Sequence, residues 1–341
     1  MIMTEFSRYL TKFLGAYLPG QRNVSLNTIK SYSDTFRLFL QYCQSEAGIV
    51  PEKLTMQLFN SSLIEGYLGW LERERKCSIS TRNQRLACIH AFVRFVQTEV
   101  PANLFEMQKI LGIPSKKTSP ASMSFLTPEA MSALLKSPDT TKKRGRRDLM
   151  ILTLLYDSGA RVQELINLSV DDIRTDKPAT ITLYGKGSKI RTVPLMSQTT
   201  DLLVQYLKEQ NLFGKPERKS SSLFTNSRKE RLSRAGIAYI LNKYVTLAEA
   251  NTNVVFPDKI SPHVLRHTKA MHMLQSNINL IYIRDFLGHV NVTTTEIYAK
   301  ADVEVKRKAL EAAYIKAEIP EQPEWIDDKC LMEWLKNLCR N

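Results

Sequence analysis

Between Gly112 and Ser124 the apolar period of the chain stops. The segment IPSKKTSPASMS carries two prolines, four serines and two lysines with almost no apolar anchor. No helix or buried strand runs through such a stretch, because proline removes backbone donors and the serines offer nothing to bury. It reads as a linker. A chain of 341 residues with 43% hydrophobic side chains has enough core for a unit on each side of it. The expected organisation is a front domain over 1–111, a linker over 112–124, a larger domain over 125–318 and a tail over 319–341.

Ahead of the break, apolar residues recur at three-to-four spacing: Ile29, Tyr32, Phe36, Phe39 and Cys43; then Leu63, Ile64, Tyr67, Leu68 and Leu71; then Leu86, Ile89, Val93 and Val96. That period is helical and predicts a small bundle. Helix starts are marked by Asn27-Thr28 and by Ser78-Ile79-Ser80-Thr81. The second of these helices has Arg82 and Arg85 near its amino end. They are equally readable as phosphate contacts or as solvated residues on a polar helix face.

Beyond the break, Leu126-Thr127-Pro128-Glu129 predicts a helix with threonine as N-cap and proline in the first turn. A second helix is expected after the run Lys142-Lys143-Arg144-Gly145-Arg146-Arg147, continuing through Leu149 to Leu155. The basic run is a candidate phosphate contact, or a solvated loop. Ser158-Gly159-Ala160 then breaks the helix, and Arg161-Val162-Gln163-Glu164-Leu165 opens another. Arg161 thus stands at a helix amino end, which favours an anion, though pairing with Glu164 or Asp157 is the plainer reading.

The one clear strand pattern runs over Ala179–Leu183 and Ile190–Leu195 and predicts a β-hairpin. Its turn, Tyr184-Gly185-Lys186-Gly187-Ser188-Lys189, holds out lysines. Helical period returns over Leu203–Tyr206 and Ile237–Leu247, with Lys215, Arg218, Lys219, Arg228, Lys229, Arg231 and Arg234 between. The expected fold class is mainly α with one small antiparallel sheet.

Lys plus Arg number 48 against 34 Asp plus Glu, a formal charge of +14. The natural partner of such a surplus is a polyanion, nucleic acid before membrane surface. No apolar run approaches the ~20 residues of a membrane helix, and Glu5, Arg8 and Lys12 interrupt the start where a signal peptide needs an apolar core. A cytoplasmic, nucleoid-associated protein is expected. The five cysteines, Cys43, Cys77, Cys88, Cys330 and Cys339, form no C-x-x-C pair and read as reduced thiols.

Four of the five histidines, His263, His267, His272 and His289, are crowded into a short window, with Arg266 inside it and Tyr298 just after. The boxes Gly159-Ala160-Arg161-Val162-Gln163-Glu164-Leu165, Gly185 through Leu195, His263-Val264-Leu265-Arg266-His267, and Leu287-Gly288-His289 leading to Thr294-Thr295-Glu296-Ile297-Tyr298 together resemble the tyrosine recombinase (phage integrase) family. The resemblance covers about 125–312 by motif and the front part by pattern. It implies a helical, SAM-like core-binding domain and a mixed α/β catalytic domain that close as a C-shaped clamp on duplex DNA. It also implies a site-specific recombinase working as a tetramer on its recombination sites, with accessory recombinases or directionality factors as further partners.

The residue types suit that chemistry. Cleaving a phosphodiester without a metal requires cations for the nonbridging oxygens, a nucleophile, and a proton for the leaving oxygen. Arg161 and Arg266 can fork onto phosphate oxygens and stay charged. Tyr298 is a poor nucleophile until its proton is taken, but as an aryl oxide it leaves well, so the bond it forms is reversible. The resemblance assigns a 3′-phosphotyrosine to Tyr298, protonation of the departing 5′-oxygen to Lys186, the tyrosine's proton to His263 and a phosphate hydrogen bond to His289. Lys189 and Arg191 join Arg82, Arg85, Lys142, Lys143, Arg144, Arg146 and Arg147 as candidate DNA contacts.

His267 stands apart as a packing or orienting residue, and His272 as an ordinary helix-face residue. A zinc site at His263 and His267 is disfavoured, since Val264 stands where H-E-x-x-H has glutamate and Arg266 opposes a cation. No cofactor is expected. The sequence departs from the family pattern at Ala160, where a bulky apolar residue is common, and at Lys269, where a small or aromatic one is. It departs also at Gln275-Ser276-Asn277-Ile278-Asn279, where a glycine is usual. A helix is expected over 303–317. After Pro320 and Pro323, the apolar stripe Trp325, Leu331, Trp334, Leu335 and Leu338 fits either a neighbouring protomer or its own domain.

Other readings are a type IB topoisomerase and, from another class, a DNA-binding regulator that keeps the fold without the reaction. The long helical front domain argues against the first. The six filled positions argue against the second. Integration, excision or transposition of a mobile element is the leading biological role, with Xer-like resolution of chromosomes or plasmids as the alternative.

Overall fold

The structure is a computed structural model that describes residues 4–99, 104–118, 123–185, 189–213, 220–289 and 295–298. Lys186, Lys215, Arg218, Lys219, Thr294, Cys330, Cys339, the expected helix over 303–317 and the tail over 319–341 lie outside the described residues. The chain divides into two compact units, Met1–Ala121 and Ser122–Asn341.

The first unit contains α1 (Glu5–Lys12), which runs on as a π-helical stretch over Phe13–Gln21, then α2 (Leu26–Ser45), α3 (Ser61–Arg73), α4 (Ile79–Glu99) and α5 (Leu104–Leu111). Short polar side chains start the helices by accepting orphan backbone N–H groups: Thr4 from Ser7, Ser25 from Thr28, Asn60 from Leu63 and Ser78 from Thr81. The helix expected from Asn27-Thr28 therefore begins slightly earlier, at the Ser25 cap. The first two helical segments, α1 and its π extension, were not expected, yet they bring Phe6, Phe13 and Leu18 into the core. Phe92 of α4 is the hub of that core. Its ring centroid lies 5.1–5.7 Å from those of Phe6, Phe13, Phe36 and Phe59. Edge-on pairs of this kind add about 0.5–1.5 kcal/mol each to the burial itself. Cys43 and Cys88 are buried free thiols, and burial pushes Cys43 up to about 12, well away from a reactive thiolate.

Arg82 and Arg85 do not stand on a polar helix face. Arg82 is only 7% exposed, and its Nη1 donates to the Pro114 carbonyl at 3.1 Å and to Asn83 at 3.2 Å. Asn83 in turn donates to the Lys116 carbonyl at 2.7 Å. These bonds, with buried Ile113, dock the first residues of the proline-serine segment onto α4. Arg85 is half-buried and reaches Thr35 of α2 at 3.4 Å. Both side chains thus make contacts inside the first unit, Arg82 buried and Arg85 half-buried, instead of standing free on a polar face.

The second unit begins with α6 (Pro128–Lys136), capped by Thr127 as expected, followed by α7 (Lys143–Asp157) and the short α8 (Val162–Asn167). The basic run does not precede α7; Lys143 to Arg147 form its first turns. Three strands follow, β1 (Ile173–Arg174), β2 (Thr180–Tyr184) and β3 (Ile190–Pro194), in the antiparallel order β1-β2-β3. The expected hairpin is there, with Thr180 opposite Pro194 and Tyr184 opposite Ile190. Strand β1 was not read from the sequence; two residues carry no alternation to detect. Then come α9 (Ser197–Glu209), α10 (Arg234–Asn251), α11 (Pro262–Gln275) and α12 (Leu280–Leu287). Helix α7 is the buried axis: Ile151, Leu152, Leu154 and Leu155 are all 0% exposed. It packs against α6, α8, α9 and α11.

The α11–α12 corner explains the missing glycine. Asn277 takes φ +60° there, and the N–H groups of Asn277 and Ile278 return to the carbonyls of Leu274 and Met273. Asparagine tolerates that left-handed conformation, and the crossed bonds close the helix end. Asn279 then caps α12 by accepting from Ile281. The corner keeps its phase without glycine.

Candidate active site

Helix α11 starts at Ser261-Pro262, with proline in the first turn where its missing N–H costs nothing. His263, Arg266 and His267 follow at spacings of three and four and so share one side of the helix. Arg266 is 3% exposed and donates from Nη1 to the Gly159 carbonyl at 2.6 Å and from Nη2 to the Leu287 carbonyl at 2.5 Å. One guanidinium thereby ties together the break after α7, the helix α11 that bears it and the end of α12. Gly159 is required at that junction: its φ is +56°, and a Cβ there would stand 2.9 Å from Leu287. Burial above all, then Arg161 and Arg191, push Arg266 down to about 9.

Arg161 is the N-cap residue of α8, and its backbone N–H donates to Glu164 Oε2 at 2.8 Å while Nη1 donates to Oε1 at 2.8 Å. Arg191 grips the same carboxylate from β3, Nη1 to Oε1 at 3.0 Å and Nη2 to Oε2 at 2.8 Å, and sends Nε to the Phe286 carbonyl at 3.1 Å. Glu164 is 4% exposed. Against the upward push of burial, hydrogen bonds from Arg191 and from the Arg161 backbone hold its carboxyl below the usual range. Arg161 therefore does pair with Glu164, the plainer sequence reading, and still opens onto the cleft.

That cleft is lined by Arg161, Gly185, Lys189, Arg191, Gly288 and His289, with Ile190 and Asp285 at its margin. Lys186 lies outside the described residues; the hairpin ladder next to it continues through a 2.7 Å bond from Gly185 N–H to the Lys189 carbonyl. Two guanidinium groups grip one carboxylate and a third, on Arg266, lies within electrostatic reach of them, so the site has an excess of positive charge that an anion would relieve.

His289 follows Gly288, the left-handed C-cap of α12. Its Nδ1 shares a 3.0 Å hydrogen bond with Thr295, and its ring stacks on Tyr298 at 6.4 Å with 8° between planes. Burial, then Arg266 and Arg161, lowers its pKa to about 4, so the ring is neutral at ordinary pH. Tyr298, in a helical turn over 295–298, is 1% exposed. Burial raises its pKa while Arg266 and Arg161 pull it back. The hydroxyl meets Nδ1 of His267 at 3.0 Å. This was not foreseen: the sequence reading gave the tyrosine's proton to His263 and left His267 to packing. His263, one turn earlier, stands 6.4 Å from His267 ring to ring, its pKa lowered by partial burial first and Arg266 second. A pointer was available in the i,i+4 spacing, which puts both rings on one side of α11.

His272 is more than a helix-face residue. Its Nε2 pairs with the Leu126 carbonyl at 3.0 Å and its Nδ1 with the Tyr156 hydroxyl at 2.9 Å, stapling α11 to α7 and the entry of α6. Lys269, beside it, pairs with Asp157 at 2.9 Å. Of the basic run, Arg146 is bound bidentately to Glu209 and Arg147 to Asp148 and the Thr225 carbonyl. These two are therefore engaged in ties within the second unit. Lys142, Lys143 and Arg144 are exposed, with Lys142 also 2.9 Å from Asp139. Among the described residues, no cluster of three His, Cys, Asp or Glu could hold a metal ion, and no helix is long and apolar enough to cross a membrane.

Residues 124–304 match the phage integrase family, and residues 10–99 match the phage integrase N-terminal SAM-like domain. A putative integrase/recombinase, y4rC, of Sinorhizobium fredii is 36% identical over 88% of this chain and 89% of its own. The tyrosine recombinase XerC of Pelotomaculum thermopropionicum is 30% identical over 91% of this chain and 98% of its own. Among solved structures, the XerH site-specific recombinase bound to palindromic difH substrate in a post-cleavage complex superposes with a TM-score of 0.66 at 22% identity, covering 86% of this chain and 81% of that one. The fold is thus shared with a DNA-bound recombinase. With the family match spanning more than half of the chain, the protein belongs to the phage integrase family of tyrosine recombinases.

Proposed function

We propose that this recombinase cleaves and rejoins duplex DNA at specific sites through a 3′-phosphotyrosine formed by Tyr298. The single observation that carries the reading is the convergence of Arg161, Arg266, His289 and Tyr298, from four separate chain segments, beside one electropositive cleft. In the attack, Tyr298 Oη bonds to phosphorus as the bond to the 5′-oxygen breaks. Arg161 and Arg266 offset the charge growing on the nonbridging oxygens, a task worth about 2.7–4 kcal/mol per donor in comparable sites. Arg266 is held rigid by its two carbonyl bonds, so it pre-orients rather than adapts. His289, neutral, donates a hydrogen bond to the phosphate, and Lys186 protonates the departing 5′-oxygen. Lys189, Lys142, Lys143 and Arg144 supply backbone contacts to DNA. The enzyme acts as a tetramer on paired sites, serving integration, excision or transposition of a mobile element; the likeness to XerC across 91% of the chain favours chromosome or plasmid resolution as the second reading.

The test uses suicide DNA substrates, nicked near candidate crossover sites from the DNA flanking the gene, in EDTA, with wild type and Tyr298→Phe. A covalent protein-DNA adduct formed by wild type alone is the expected result. DNA binding without any adduct, or an adduct that survives Tyr298→Phe, overturns the proposal.

A further inference from the structure

We propose that His267 is the group that receives the phenolic proton of Tyr298 as Oη attacks, and that it positions the hydroxyl beforehand. This rests on the reading that Tyr298 is the nucleophile. A phenol that is 1% exposed cannot hand its proton to bulk water, so the acceptor must be a protein group already in contact with it. Among the described residues, His267 Nδ1, at 3.0 Å, is the hydrogen-bond partner of that hydroxyl. The neighbouring His289 is stacked ring to ring on Tyr298 and shares its Nδ1 with Thr295 instead.

The imidazole is held by its place in α11. Arg266 before it is anchored through two carbonyls, and Thr268 after it, 0% exposed, donates to the Val264 carbonyl and accepts from the Leu126 N–H. These bonds fix the helix on either side of it, and the ring itself is held by its bond to the Tyr298 hydroxyl. Burial first, then His263 and Arg266, keeps it unprotonated, which leaves a nitrogen lone pair for the phenol. The groups facing it are His263 and Arg266 from α11, His289 beyond α12 and Tyr298 itself.

The proton balance is closed. Oη bonds to phosphorus, its proton passes to Nδ1, the bond to the 5′-oxygen breaks, and that oxygen takes a proton from a different donor. In rejoining, the 5′-hydroxyl attacks and gives its proton back to that donor, the bond from phosphorus to Oη breaks, and the proton on Nδ1 returns to Oη.

The test compares wild type, His267→Ala and His267→Asn in single-turnover adduct formation on two suicide duplexes. One has an ordinary scissile phosphate and the other a 5′-bridging sulfur, whose thiolate leaves without a proton. Each variant is first shown to bind the same duplex in a gel shift. His267→Asn retains a hydrogen-bonding group near the Nδ1 position but cannot take up a proton, so it remains informative if the alanine variant does not fold. The expected result is a loss of about 100-fold in both variants on both duplexes, with added imidazole restoring part of the alanine variant's rate. A rate equal to or faster than wild type in the variants would overturn the proposal, a faster one meaning that the bond merely sequesters the phenol. A loss repaired by the sulfur duplex would also overturn it, since His267 would then be acting on the leaving group. Absence of an adduct from wild type on either duplex would instead count against Tyr298 as nucleophile.

Discussion

Two pairs of arginines near helix starts, one in each unit, look alike in sequence and differ in what they do. Arg82 and Arg85 open α4 in the first unit, and both turn inward, Arg82 to the Pro114 carbonyl and Arg85 to Thr35, leaving the Nε of each buried without a hydrogen-bond partner among the described residues. Arg161 and Arg266 in the second unit are also held by protein groups, yet Arg161 lines a cleft together with Arg191, and Arg266, itself buried, lies within electrostatic reach of both. The difference lies in the partners. In the second unit a buried carboxylate and backbone carbonyls satisfy some of the donors and fix the direction of the rest, so positive charge is concentrated at an open wall. The first unit turns its arginines toward a docked loop and a neighbouring helix. A basic residue at a helix amino end is thus informative only once its partners are known.

The largest expected effect tests this contrast directly. Arg161→Ala and Arg266→Ala should each lower adduct formation on bound DNA by about 10²–10³-fold. Arg82→Met should leave that rate unchanged and cost about 1–3 kcal/mol of folding stability in urea titrations. Equal damage to the cleavage step from Arg82→Met would erase the distinction between the units.

A smaller effect comes from the carboxylates. Glu164→Gln leaves two guanidiniums around a neutral amide in a site that is 4% exposed, and should destabilise the protein by about 3 kcal/mol. Glu72, which stands 3.9 Å from Arg82 and has 26% of its side chain exposed, is the comparator. Its change to Gln should cost under about 1 kcal/mol. Denaturant midpoints of the two variants would reveal whether the second unit alone depends on a buried charge pair.

The smallest effect is with pH. All five histidines, His90, His263, His267, His272 and His289, have pKa values lowered from 6.5, burial being the main cause in each, and His289 reaches about 4. The unfolded chain then binds protons that the native state refuses, so their contribution is intact above 6.5 and is lost as pH falls toward 4. Four of the five lie in the second unit. Amide hydrogen exchange at pH 7 and pH 5 should show protection falling more in α11 and α12 than in α2 to α4; a uniform loss would contradict the assignment.

Much of the architecture was legible because it depends on short-range rules. The three-to-four period located α2, α3 and α4, the Thr127-Pro128 start located α6, and the paired strands located the hairpin. Strand β1 and helix α1 escaped, one too short for any period and the other read only for its charges. At the site, the boxes named Arg161, Arg266, His289 and Tyr298, which the structure brings together. Glu164 was read as a partner of Arg161, which it is, whereas His267 and Arg191 were given other parts, since nothing in their spacing states which atoms they meet.

The sequence by itself determined that His263, Arg266 and His267 fall at spacings of three and four, and the excess of positive charge. These rest on residue order and composition, which require no contact between distant parts of the chain. Only the tertiary structure decided that Tyr298 meets His267 rather than His263, that Arg191 grips Glu164 from a different element, and that Arg82 bonds to the Pro114 carbonyl. Each of those pairings joins residues far apart in the chain, and a hydrogen bond depends on distances of a few tenths of an ångström that packing alone sets.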